Sequence, residues 1–160
     1  MKKAFTLIEA LVVVGILIIL LIMSIPAYRS YSKRNELRNA AEKIRQAIIE
    51  AQNMALAPKD SGEQLQYGSK SKNIINSNQY SNQFIVYKKI GSVETELKTY
   101  SLPSNVEWAN SSNWDVSFTP PYAKSSCNKV LEISLKLKNS SETISINLNC
   151  KTGQINITSP

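Results

Sequence analysis

Glu9 is the only charged residue in the 21-residue stretch from Phe5 to Ile25, which is otherwise apolar except for Thr6, Gly15 and Ser24. An unpaired ionised side chain at the centre of a bilayer costs about 2.5–3.5 kcal/mol or more. A merely hydrophobic anchor has no use for such a group. The chemistry on offer is therefore an ion pair made in dry surroundings, and Glu9 needs a cation to make it. Two lysines, Lys2 and Lys3, stand just ahead in a short basic start, Met1-Lys2-Lys3-Ala4.

Little else in the chain suggests chemistry. It contains no histidine, the commonest general base and metal ligand. Its two cysteines, Cys127 and Cys150, are too few for a four-ligand zinc site, and no metal or cofactor is expected. There is no glycine-rich phosphate loop and no serine in a nucleophile-elbow pattern. The 12 carboxylates are scattered, so an enzyme is not expected. The net charge of +7 is spread over many lysines, as on an ordinary solvated surface. A sharper reading makes Lys124, Lys129, Lys136, Lys138 and Lys151 candidate contacts to nucleic acid.

These groups must be positioned by a few elements. Residues 5–25, as a helix, extend about 30 Å, one hydrocarbon core. Basic residues flank the run on both sides: Lys2 and Lys3 before it, Arg29, Lys33 and Arg34 after it. Pro26 predicts a kink, because it removes one helical hydrogen bond. The helical pattern then resumes. Leu37, Ala40, Ala41, Ile44, Ala47, Ile48, Ala51, Met54 and Ala55 recur at spacings of three and four, opposite Arg38, Glu42, Lys43, Arg45 and Glu50. Pro58 and Lys59-Asp60-Ser61-Gly62 end it. The expectation is one helix of about 50 residues, apolar all round in its first half and amphipathic over residues 26–57.

Residues 58–160 read as a globular antiparallel β domain. The Ser-, Asn- and Gln-rich stretch 63–82 predicts a long connection. Strands are expected at Gln83–Lys89, Glu94–Leu102, Asp115–Thr119, Val130–Lys138 and Thr143–Asn149, with a last one through Ile155 and Ile157. Together they suggest a meander with one wet face. A turn at about residue 139 pairs positions whose numbers sum to about 278, and those of Cys127 and Cys150 sum to 277. Both cysteines share parity with the inward rows. They are expected to form a disulfide at the open end of that hairpin, worth roughly 3 kcal/mol, in an oxidising compartment.

The amino-terminal third resembles the type IV pilin and pseudopilin superfamily. The matching residues are the leader Met1–Ala4, the block Phe5-Thr6-Leu7-Ile8-Glu9, the run from Ala10 to Met23, and Pro26-Ala27-Tyr28. More weakly, Val116-Ser117-Phe118-Thr119-Pro120 and Lys151-Thr152-Gly153-Gln154-Ile155 look like H-type minor pseudopilins and related minor pilins. The resemblance implies an α+β, pilin-like fold with a long kinked helix packed on an antiparallel sheet. It implies cleavage of the leader, residues 1–4, between Ala4 and Phe5 by a prepilin peptidase, and N-methylation of Phe5. It further implies an inner-membrane, single-pass state with the carboxy-terminal domain outside. From there an assembly platform in that membrane would build the chain, with other pilin or pseudopilin subunits, into a pilus or pseudopilus. In this setting Glu9 would pair with the new amine at Phe5 of a neighbour. The pattern departs in one place: the family usually has Gly before the processed Phe, and this chain has Ala4. Two alternatives remain, a DNA-binding minor pilin and a membrane-anchored domain that never polymerises.

Overall fold

The computed structural model describes residues 6–59, 64–73, 80–109 and 114–158. The leader, the Ala4–Phe5 cleavage site and the Phe5 methylation site lie outside the described residues. The chain divides into two units at Asn35/Glu36. Helix α1, Leu7–Leu56, runs through Pro26 and across that division. Pro26 therefore does not end the helix, as its sequence pattern led one to expect.

In the first unit the apolar side chains of the described residues are exposed. Leu7 through Met23 and Ile25 expose their large hydrophobic groups. The helix contains an 18-residue window of mean hydropathy 3.0, none of it buried. Such a helix is long and apolar enough to cross a membrane.

In the second unit the helix becomes one-sided. Leu37, Ala40, Ala41, Ile44, Ala47, Ile48, Ala51 and Ala55 are buried and Met54 packs against them. This is the stripe read from the spacing. It joins one hydrophobic cluster with the inner faces of two antiparallel sheets. The fold is thus α+β, a long helix packed on antiparallel structure. Polar clasps fix the helix laterally: Glu50 accepts hydrogen bonds from Lys98 and from the Tyr100 hydroxyl, and Glu36 accepts one from Asn105.

The strands are β1 (Leu65–Asn73), β2 (Tyr80–Ile90), β3 (Val93–Ser101), β4 (Val106–Trp108), β5 (Asp115–Thr119), β6 (Lys124–Ser125), β7 (Val130–Leu137), β8 (Thr143–Asn149) and β9 (Ile155–Thr158). One sheet runs β3-β2-β1-β5-β6 and the other β4-β7-β8-β9. The expected single meander is therefore two sheets, and the expected connection over 63–82 contains a central strand. β1 escapes recognition because its inward row is Leu65, Tyr67, Ser69 and Ser71, with no β-branched residue. The bulk comes from its partners: Ser69 lies opposite Val86 and Val116, and Ser71 opposite Phe84. The sheets meet through an aromatic group. Phe84 stacks on Tyr100 with ring centroids 5.1 Å apart, and Trp114 touches both Phe84 at 6.4 Å and Trp108 at 6.2 Å.

The outward face of the five-stranded sheet holds a polar group built around Tyr87. Its hydroxyl donates to Asp115 Oδ1 at 2.7 Å. Lys70 Nζ lies 5.1 Å from the Tyr87 ring centroid and 2.6 Å from Glu94 Oε1, while Lys72 pairs with Glu96 at 2.9 Å. Burial, then the hydrogen bond to Asp115, push the Tyr87 hydroxyl well above its ordinary value near 10. A phenol whose folded pKa is raised keeps its proton while the unfolded chain loses one. Its contribution is therefore complete below about pH 10 and is lost as pH rises above that. Unfolding by urea at about pH 9 and about pH 11.5 checks this. The parent chain should lose more stability between the two than Tyr87→Phe, and an equal loss would contradict the assignment.

The cysteines are bonded, with Cα atoms 5.5 Å apart. They lie at the open end of the β7–β8 hairpin, as expected, but outside its ladder. The β7–β8 ladder pairs Ile133 with Ile146 and ends at Val130–Asn149, a register displaced by one residue from the expected sum. Cys127 thus lies before β7, two residues past β6, whereas Cys150 directly follows β8. The bond joins the end of one sheet to the end of the other. The Ser125 hydroxyl, which donates to the Cys150 carbonyl at 2.5 Å, reinforces this junction. Reduction opens a loop of about 24 residues and should cost about 3 kcal/mol. Urea midpoints with and without reductant measure it. A shift of only a few tenths of a kcal/mol would mean that the sheets hold this end without it.

Candidate functional site

The amino-terminal end of α1 is the chemically distinct part of the first unit. Thr6 precedes the helix, and its Oγ1 accepts a hydrogen bond from the Glu9 backbone N–H at 3.3 Å. This is an N-cap, and Glu9 occupies the third helical position, where Glu or Gln completes a capping box. An acidic side chain in the first turn also faces the positive end of the helix dipole. The sequence reading missed this role, although Thr-x-x-Glu ahead of an apolar run is a legible signal. The cap satisfies an amide and leaves the carboxylate free. Glu9 is exposed and its carboxylate has no ion-pair partner among the described residues.

The five lysines suggested for nucleic acid do not form one surface. Lys136 pairs with Glu107 at 3.2 Å, across β7 and β4. Lys138 sits at the β7–β8 turn, where its amide donates to the Asn105 carbonyl. Lys124, Lys129 and Lys151 instead gather at the disulfide end. Lys124 is on β6, Lys151 follows Cys150, and the Cys150 amide donates to the Lys129 carbonyl at 3.0 Å. All three are exposed, without an acidic partner among the described residues. By contrast, Lys70, Lys72 and Lys98 each meet a glutamate.

Among the described residues no group of three His, Cys, Asp or Glu side chains could hold a metal ion. Comparison with protein-family models, curated proteins and solved structures finds no match to this chain.

Proposed function

We propose that this chain is a structural subunit of a helical filament, a type IV pilus or a type II secretion pseudopilus. A prepilin peptidase cuts it between Ala4 and Phe5, and it assembles through its amino-terminal helix. The observation that supports this best is an exposed apolar run, Leu7 to Ile25, bearing one carboxylate, Glu9, with no ion-pair partner among the described residues. Side-by-side packing of such helices buries the apolar surface. Pairing of Glu9 with the Phe5 amine of a neighbour neutralises both charges where water is excluded. Removal of Lys2 and Lys3 frees the helix to leave the bilayer in which it waits, with the β body on the outer side. Mass spectrometry of the first peptide of the purified native protein tests the reading. A start at N-methylated Phe5 supports it, and an intact Met1–Ala4 in assembled fibres overturns it.

A second reading, a DNA-binding minor subunit, draws support from Lys124, Lys129 and Lys151 at one end of the body, which have no acidic partner among the described residues. Three phosphate contacts predict weak, strongly salt-dependent binding. A gel shift with the detergent-solubilised chain at low salt tests it, and no retardation ends it.

A further inference from the structure

The helix has one more exposed segment that neither the apolar run nor the β body explains. Between Ile25 and the buried Leu37 of α1, the chain reads Tyr28-Arg29-Ser30-Tyr31-Ser32-Lys33 before Arg34 and Asn35. Tyr28 is 72% exposed and Tyr31 64%, and Arg29 and Lys33 are exposed as well. At 3.6 residues per turn, Tyr28 and Tyr31 lie about 60° apart on one side of the helix. Arg29 and Lys33 lie about 40° apart on another. Neither Arg29 nor Lys33 has an ion-pair partner among the described residues, and the nearest carboxylate along the helix, Glu36 three residues past Lys33, accepts a hydrogen bond from Asn105. What stands out is the combination, two large exposed rings beside two exposed cations immediately after an apolar run of membrane length. They suit the boundary where hydrocarbon gives way to phosphate, because tyrosine has an apolar body with a polar tip, and Arg and Lys extend a charge from an apolar stem.

We propose that residues 28–33 form an interfacial collar that docks on the headgroup layer of an anionic bilayer, with lipid phosphates as the ligands of Arg29 and Lys33. The proposal rests on the reading that the apolar run spans a membrane. The axial distances agree with it. Tyr28 lies about 4.5 Å beyond Ile25 along the helix, and Tyr31 about 9 Å. The headgroup region of one leaflet is about 5–7 Å deep, so Tyr28 and Arg29 start within it, while Tyr31 and Lys33, about 9 and 12 Å beyond Ile25, reach back to it because helical side chains lean toward the amino terminus. The collar sets the depth of the helix and gives the waiting subunit a preference for acidic lipids on the side where the body lies.

The test uses the full chain reconstituted in vesicles of phosphatidylcholine and phosphatidylglycerol, with bromine placed on one lipid at a time. Tryptophan fluorescence is read against the unmodified chain, to subtract Trp108 and Trp114. Leu17→Trp reports the span: strongest quenching by bromines near the chain ends supports a crossing helix, and its absence overturns the crossing on which the collar depends. Tyr28→Trp reports the collar. It should be quenched most by bromines near the carbonyls, and about twofold more by brominated phosphatidylglycerol than by brominated phosphatidylcholine at equal fraction. In the Tyr28→Trp chain also carrying Arg29→Gln and Lys33→Gln, that preference should fall to one. If Leu17→Trp is quenched but Tyr28→Trp emits as in water, or shows no lipid preference, the span stands and the collar is wrong.

Discussion

Replacing Gly68 by alanine is expected to lower the melting temperature of the body by roughly 10 °C. Glycine inside a strand ordinarily weakens it, so alanine there usually gains about 0.5–1 kcal/mol. The sign reverses here because of what occupies the missing side chain's place. Gly68 pairs with Tyr87 across β1 and β2, and the tyrosine ring lies over the glycine. A Cβ at this position would sit 2.5 Å from Tyr87 Cζ and 2.7 Å from the Val116 carbonyl oxygen. The ring cannot move aside freely, since its hydroxyl is bonded to Asp115 and Lys70 stands over its face. The carbonyl belongs to the neighbouring strand of the same sheet. Overpacking of this kind costs about 1–3 kcal/mol, and losing a hydrogen bond to a charged group about 1.5–3 more. A net loss near 3 kcal/mol corresponds to the stated shift. Thermal unfolding of the detergent-solubilised chain by near-ultraviolet circular dichroism measures it. The same substitution in a Tyr87→Ala background should cost much less, because only the Val116 carbonyl then remains. An unchanged or raised melting temperature for Gly68→Ala would show that the ring is not held.

How much of this could be read beforehand follows from where the physical signal lies. The stripe from Leu37 to Ala55 was legible because one helix face meets one core, and burial then repeats at three and four. β7 and β8 were legible for the matching reason at period two: Ile133, Leu135, Ile144, Ile146 and Leu148 all point inward. β1 was not, because its inward Ser69 and Ser71 fit among larger neighbours contributed by β2 and β5, and a single strand does not announce its partners. β4 and β6, with three and two residues, are shorter than any period that could reveal them. The two-sheet arrangement was hidden for a related reason. It depends on β5 pairing with β1 across some 45 residues of sequence rather than with a sequential neighbour. The cysteine pair was found from parity, yet its role in joining the two sheets required the ladder to end at Val130. At the site, Glu9 stood out by composition alone. That its amide is capped by Thr6, and that Lys136 is neutralised by Glu107 while Lys129 is not, depends on geometry.

The cap supplies the control for the prediction with the largest functional effect: Glu9→Gln should leave membrane insertion intact and abolish filaments. Two roles have been assigned to Glu9, and they demand different things of the side chain. As the third helical residue it donates its backbone amide to Thr6, which glutamine does equally well, and glutamine is itself a capping-box residue. As the counter-ion of a neighbour's amine it must carry a charge, which glutamine lacks. Removing one member of a buried ion pair costs about 3–5 kcal/mol, because the other charge is left unpaired. In a polymer that penalty recurs at each subunit added, with each 1.4 kcal/mol lowering the equilibrium tenfold. Growth should therefore fail altogether. Thr6→Val tests the other role. It removes the cap oxygen at about 1 kcal/mol, frays one turn and should reduce assembly only modestly. Alkaline extraction of membranes measures insertion, and sheared surface fractions or micrographs measure filaments. If Glu9→Gln assembles normally while Thr6→Val does not, Glu9 serves the helix end and the intersubunit pair does not exist. If Glu9→Gln remains in the membrane without polymerising, the charge itself is what the neighbouring subunit requires.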